Sequence, residues 1–129
     1  MSRITQVLFV LCFCLFAMND LQAQDRGPLR HVVSFKFSDD ATEQQINACI
    51  KDFAGLKEKI SEIKSFEWGT NNSPEGLTKG LTHCFILTFD DEKGRDIYLP
   101  HPDHKAFGDA HGKIFADVFV IDYYAKDGM

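Results

Sequence analysis

The chain has no cluster of basic residues: 14 lysines and arginines are scattered among 19 aspartates and glutamates, for a net charge of −5. Nucleic acid and anionic membrane surfaces both need a concentrated positive patch, so this balance argues against either as a partner. Internal repeats, low-complexity tracts and Pro/Gly/Ser-rich linkers are also missing, which leaves one domain as the simplest partition. No apolar run reaches the roughly 20 residues that span a bilayer. Cysteine is scarce, with four in 129 residues. No short motif dictates a reaction.

What is present starts at the N-terminus. Arg3 is followed by the uncharged apolar run Val7 to Met18, then by Leu21-Gln22-Ala23 and the polar stretch Gln24-Asp25-Arg26-Gly27-Pro28. That is the layout of a secretory signal peptide over residues 1–23, and the expected product is exported, periplasmic or secreted. The competing reading is a bacterial lipid anchor at Cys12 or Cys14, opposed by the bulky Leu11 and Phe13 that precede them. Cleavage leaves 106 residues with 13 basic and 18 acidic side chains, nine phenylalanines, and Cys49 and Cys84. A mature tail is expected over 24–30 and a domain over 31–126.

Within that domain His31 to Phe37 alternates, with His31, Val33, Phe35 and Phe37 on one side, as a half-buried strand does. Thr42-Glu43-Gln44-Gln45 is a capping box, and Ile46, Cys49, Ile50, Phe53, Leu56 and Ile60 follow at helical spacing. Ser65 to Thr70 and Thr82 to Phe89 read as strands joined by a polar loop. Asp91 to Leu99 reads as a short helix ended by Pro100, and Pro102 opens another. Val118 to Tyr124 reads as the last strand. The order β-α-β-β-α-β is ferredoxin-like, an α+β fold with helices on one face of a four-stranded antiparallel sheet. The other face, with Val32, Ser34, Cys84 and Ile86, is too apolar for water, and a second copy packing sheet to sheet would bury it as a homodimer. Cys49 and Cys84 point to opposite faces, so no disulfide between them is expected.

The segment from Tyr98 to Asp109 is the richest in chemistry. It holds a phenol, two imidazoles and two carboxylates around two prolines, and histidine is the side chain best placed for acid–base work near neutrality. The helix-facing parity adds His31, His83 and Asp122. These are expected to cluster at one end of the sheet with Tyr98 and His104 closing over them. Two readings stand side by side: a satisfied structural network, or a pocket for a small molecule lined by Phe35, Phe53, Phe85 and Phe107. A metal held by His101-x-x-His104 is the third, and Pro102 distorts that turn; no metal or cofactor is expected.

The His31-Val32-Val33-Ser34-Phe35-Lys36-Phe37 strand, Trp68-Gly69, Thr82-His83 and the run from His101-Pro102-Asp103-His104 to Phe107-Gly108-Asp109 resemble the stress-responsive A/B barrel (Dabb) domain family. The resemblance covers His31 to Tyr124 in order and spacing. It implies ferredoxin-like protomers paired into a dimeric α+β barrel. A cofactor-free polyketide cyclase is among the family's plant members, and its catalytic tyrosine and histidine match Tyr98 and His104. Its pocket histidines match His31 and His83, and its last-strand aspartate matches Asp122. The chemistry so implied is proton removal next to a carbonyl by His104, with Tyr98 as hydrogen-bonding partner. Cys49, Ala110, His111 and Gly112 depart from that member. Cyclase substrates are cytosolic thioesters, whereas this chain reads as exported. The expected function is therefore binding of a small, partly apolar phenolic or keto ligand. Cofactor-free cyclase or lyase chemistry is the alternative, and a structural stress-related oligomer is the second.

Overall fold

The computed structural model describes residues 26–128, so the expected signal peptide lies outside the described residues. Contacts set Pro28–Tyr123 apart as one compact unit, while 26–27 and 124–128 belong to a second. In that second unit the Arg26 guanidinium lies 5.4 Å above the centre of the Tyr124 ring.

Strand β1 spans Leu29–Phe37 and starts inside the expected tail, because Leu29 is already buried opposite Phe89. Helix α1 covers Glu43–Lys59 and starts as its sequence predicts. The Thr42 hydroxyl accepts from the Gln45 N–H at 3.2 Å, and the Gln45 side chain accepts from the Thr42 N–H at 2.9 Å. Each bond satisfies a backbone donor that the first turn leaves free. Cys49, Phe53 and Leu56 form its buried stripe, which Ile60 extends.

β2 is Ser65–Thr70 and β3 is His83–Phe89. The loop between them turns at Gly80, whose φ of +82° suits glycine and whose bare Cα lets the Lys36 side chain lie against it. Helix α2 is Glu92–Tyr98, with the Asp91 side chain capping it by accepting from the Gly94 N–H at 3.1 Å. Helix α3 is Pro102–His111, opened by the expected proline. A 3-10 turn at Gly112–Ile114 leads into β4, Phe115–Tyr124. That strand begins three residues before Val118 because Phe115 is already seated, stacked on Phe35 at 4.2 Å.

The sheet order is β2-β3-β1-β4, with β3 antiparallel to both β2 and β1. The Ser38 N–H donates to the Ile114 carbonyl at one end of β1, and His31 meets Asp122 at the other, so β1 and β4 are antiparallel too. This is the expected ferredoxin-like α+β protomer. Helix α1 lies beside α3 and reaches β2, while α2 packs on β3.

Between helices and sheet the space is filled by phenylalanine. Phe53 stacks on Phe107 at 4.7 Å and meets Phe85 at 4.9 Å, and Phe85 meets Phe35 at 5.2 Å. All four are buried. These side chains, expected to line a pocket, pack against one another as the core. Cys49 is buried in the same layer and Cys84 is exposed on the other face, and both thiols are free, as the alternation of the strand predicts.

The register corrects one expectation. His31 stands opposite Leu87, whereas His83 stands opposite Phe35. The two histidines share a face but sit four positions apart along the sheet, about 13 Å. Antiparallel pairing brings the start of β1 beside the end of β3, not beside its start, so His83 does not join the His31 cluster.

Candidate functional site

The short helix α2 brings its last residue, Tyr98, down onto the sheet. The ring is fully buried, 5.2 Å from Phe89 and edge-on to His31 at 5.7 Å. Burial pushes the phenol well above its ordinary 10.0, so Tyr98 keeps its proton and remains a hydrogen-bond donor. The chain then turns through Leu99-Pro100-His101 into α3, and this turn sets His104 against Tyr98 with ring centres 4.2 Å apart.

His104 is oriented by one bond. Its Nδ1 lies 2.9 Å from the Leu99 carbonyl oxygen. A carbonyl only accepts, so Nδ1 carries the proton, and Nε2 of the neutral ring presents a lone pair. A histidine held in that tautomer beside a protonated tyrosine suits proton abstraction, or acceptance of a hydroxyl hydrogen bond from a ligand.

His31 closes the other side. Its Nδ1 donates to Asp122 Oδ1 at 2.6 Å, while the second oxygen of the same carboxylate accepts from Arg95 Nη1 at 3.0 Å. Arg95 also directs Nε and Nη2 onto Asp96 Oδ1 at 3.0 and 2.9 Å, and the two carboxylates raise its pKa further. The site is thus Tyr98, His104, His31 and Asp122, with Arg95 behind Asp122. Arg95 is the residue that sequence reasoning missed. The one signal for it was its position three residues before Tyr98, on the same helical face.

The remaining imidazoles are placed elsewhere. His83 packs edge-on to Phe37 at 5.0 Å and pairs through Nδ1 with the Thr82 hydroxyl at 2.8 Å. Partial burial lowers its pKa below 6.5, favouring the neutral ring. His111 donates from Nε2 to Asp52 at 2.8 Å and ties α3 to α1. His101 caps α3, its Nδ1 accepting from the Asp103 N–H at 3.2 Å. The Cys49 thiol is pushed up to about 12 by burial and by Asp52, which leaves it unreactive. Among the described residues no three histidine, cysteine or acidic side chains converge as metal ligands would.

Two concavities lie on the open face of the sheet, away from Tyr98 and His104. One, of about 240 Å³, is bounded by Ser34, Thr82, Cys84 and Phe119; the other, of about 270 Å³, by Trp68, Cys84 and Ile86. Both are shallow hollows beside β3. The exposed apolar side chains of β4, Phe119, Ile121 and Tyr123, continue the same face.

The sequence model of the Stress Responsive A/B Barrel Domain matches residues 29–125. The chain belongs to this family. A stress-response A/B barrel domain-containing protein of Arabidopsis thaliana, HS1, is 36% identical over 98 residues, covering 76% of this chain and 90% of its own. Olivetolic acid cyclase of Cannabis sativa is 28% identical over 95 residues, covering 74% of this chain and 94% of its own. Among solved structures, a dimeric ferredoxin-like protein from Thermobifida fusca superposes with a TM-score of 0.64 at 27% identity, covering 77% of this chain and 92% of its own. The A/B barrel domain thus spans nearly all of Pro28–Tyr123. Its opening strand starts at Leu29 in the match as in the structure.

Proposed function

We propose that the protein is an exported A/B barrel homodimer that binds a small, partly apolar phenolic or keto ligand at the Tyr98–His104 end of its helix-covered face. The observation that carries this reading is the fixed His104 ring, its Nδ1 bonded to the Leu99 carbonyl at 2.9 Å and its face against the buried Tyr98. Tyr98 offers a donor and His104 Nε2 an acceptor, a pair that a phenol or an enolisable ketone can engage at one oxygen and an adjacent group. The dimer is supported by the apolar open face of β4 and by the dimeric neighbour from Thermobifida fusca. Export rests on the N-terminal sequence.

The tautomer of His104 favours a second reading, cofactor-free cyclase- or lyase-type chemistry. Nε2 would take the proton from a carbon beside a carbonyl, and Tyr98 would donate to the oxygen on which the negative charge develops. Olivetolic acid cyclase is a cyclase by name and is 28% identical to this chain over 95 residues.

The test uses 4-nitrophenol as a spectroscopic probe with the parent protein, Tyr98→Phe and His104→Ala. Weakened binding in both variants supports the site; equal binding in all three overturns it. Turnover of an added keto acid that is lost in His104→Ala while probe affinity persists would establish the second reading.

A further inference from the structure

We propose that Arg95 is a specificity-determining residue of the Tyr98–His104 site: by pairing with Asp122 it fixes α2 and offsets part of the negative charge that would repel an anionic phenolate or enolate. The inference rests on the ligand-binding reading above and adds to it the charge state of the ligand. Asp122 has two oxygens and both are committed, one to His31 Nδ1 at 2.6 Å and one to Arg95 Nη1 at 3.0 Å. Each oxygen already accepts one charge-assisted bond, which holds the carboxylate in place between β1 and α2. Its charge lies beside His31, whose ring meets Tyr98 edge-on with centres 5.7 Å apart, so one imidazole separates it from the phenol. Arg95 supplies a compensating charge, which Asp122 shares with Asp96. Its side chain is partly exposed, at 22%, so solvent screens some of that compensation.

The same guanidinium has a mechanical role. Helix α2 has seven residues, too few to hold itself in place, so its position depends on what it is tied to. Tyr98 anchors its last turn on the sheet, and Arg95, one turn earlier, anchors it to β4. The Leu99 carbonyl that orients His104 leaves directly from this helix. With Nε and Nη2 held by Asp96, the arginine has one direction in which to reach, and Asp122 stands there.

The experiment compares the parent protein with Arg95→Ala and Arg95→Lys. Three quantities are read: the His31 Nδ1–H proton resonance, affinity for 4-nitrophenol held above its own ionisation so that the probe is the phenolate, and affinity for neutral phenol. In Arg95→Ala the phenolate should bind about tenfold more weakly, with a smaller loss for phenol, and the His31 resonance should broaden through exchange. Lysine keeps the charge without the fork, so Arg95→Lys should restore the preference for phenolate over phenol. Equal losses for the two probes, or no recovery in Arg95→Lys, overturns the proposal, since a purely structural role would not separate them by charge. A parent protein that binds neither probe overturns the ligand-binding reading instead. In that event an unchanged His31 resonance in Arg95→Ala overturns the positioning role by itself.

Discussion

Asp122 Oδ1 lies 2.6 Å from His31 Nδ1, joining the last strand to the first beneath the helices. Removing the carboxylate leaves a buried imidazole N–H and the arginine Nη1 without their acceptor. Asp122→Ala should cost about 2 kcal/mol, the range of a hydrogen bond to a charged group, and Asp122→Asn less. Urea denaturation at neutral pH measures both. A loss below about 0.5 kcal/mol for alanine, the scatter expected of a surface substitution, would mean the pair is not structural.

Alkaline pH should destabilise the protein in two overlapping steps. Cys49 is raised from 9.0 to about 12, and Tyr98 is raised above 10.0, in both cases because burial opposes the charged form. Each group loses its proton more easily in the unfolded chain than in the fold, so rising pH favours unfolding. The thiol contribution starts above pH 9.0 and levels off near 12, and the phenol contribution starts above 10.0. Each slope is at most about 1.4 kcal/mol per pH unit. Cys49→Ala should abolish the first step while leaving the second, which a set of denaturant curves across this range would resolve.

The phenylalanine core predicts a large penalty at its centre. Phe53 touches Phe35, Phe66, Phe85 and Phe107 and is 2% exposed. Phe53→Ala should cost about 3–5 kcal/mol and Phe53→Leu clearly less. If these rings instead surround a ligand-sized space that collapses on truncation, calorimetry will show a smaller loss.

Charge on the open face should break the proposed homodimer. Ile121 is 49% exposed on the edge strand, so a lone chain tolerates lysine there, whereas a sheet-to-sheet interface does not. Ile121→Lys should elute as a monomer with unchanged secondary structure, read by light scattering on a sizing column. A parent protein already monomeric would refute the pairing.

The fold was legible because its signals are local. Alternation in His31 to Phe37 and Thr82 to Phe89, the Thr42 capping box and Pro102 each state their own element. Parity also placed Cys49 and Cys84 on opposite faces. Register is not local: alternation says which face His83 occupies but not which residue it meets, and the antiparallel pairing of Phe35 with His83 moved it away from His31. Long-range partners were equally hidden. Nothing in the sequence near His111 points to Asp52, and Arg95 looks like any solvated charge on a short helix until Asp122 is found within 3.0 Å of it. The Tyr98–His104 contact, by contrast, follows from a turn whose prolines are visible in the chain.

The most direct test of the central claim is amide and side-chain chemical-shift mapping of the isotope-labelled protein titrated with 4-nitrophenol. Binding at the proposed site predicts shifts concentrated on Tyr98, Leu99 and His104, with His31 next. Shifts centred on Ser34, Thr82 and Phe119 would place the ligand in the open-face hollow and contradict the account.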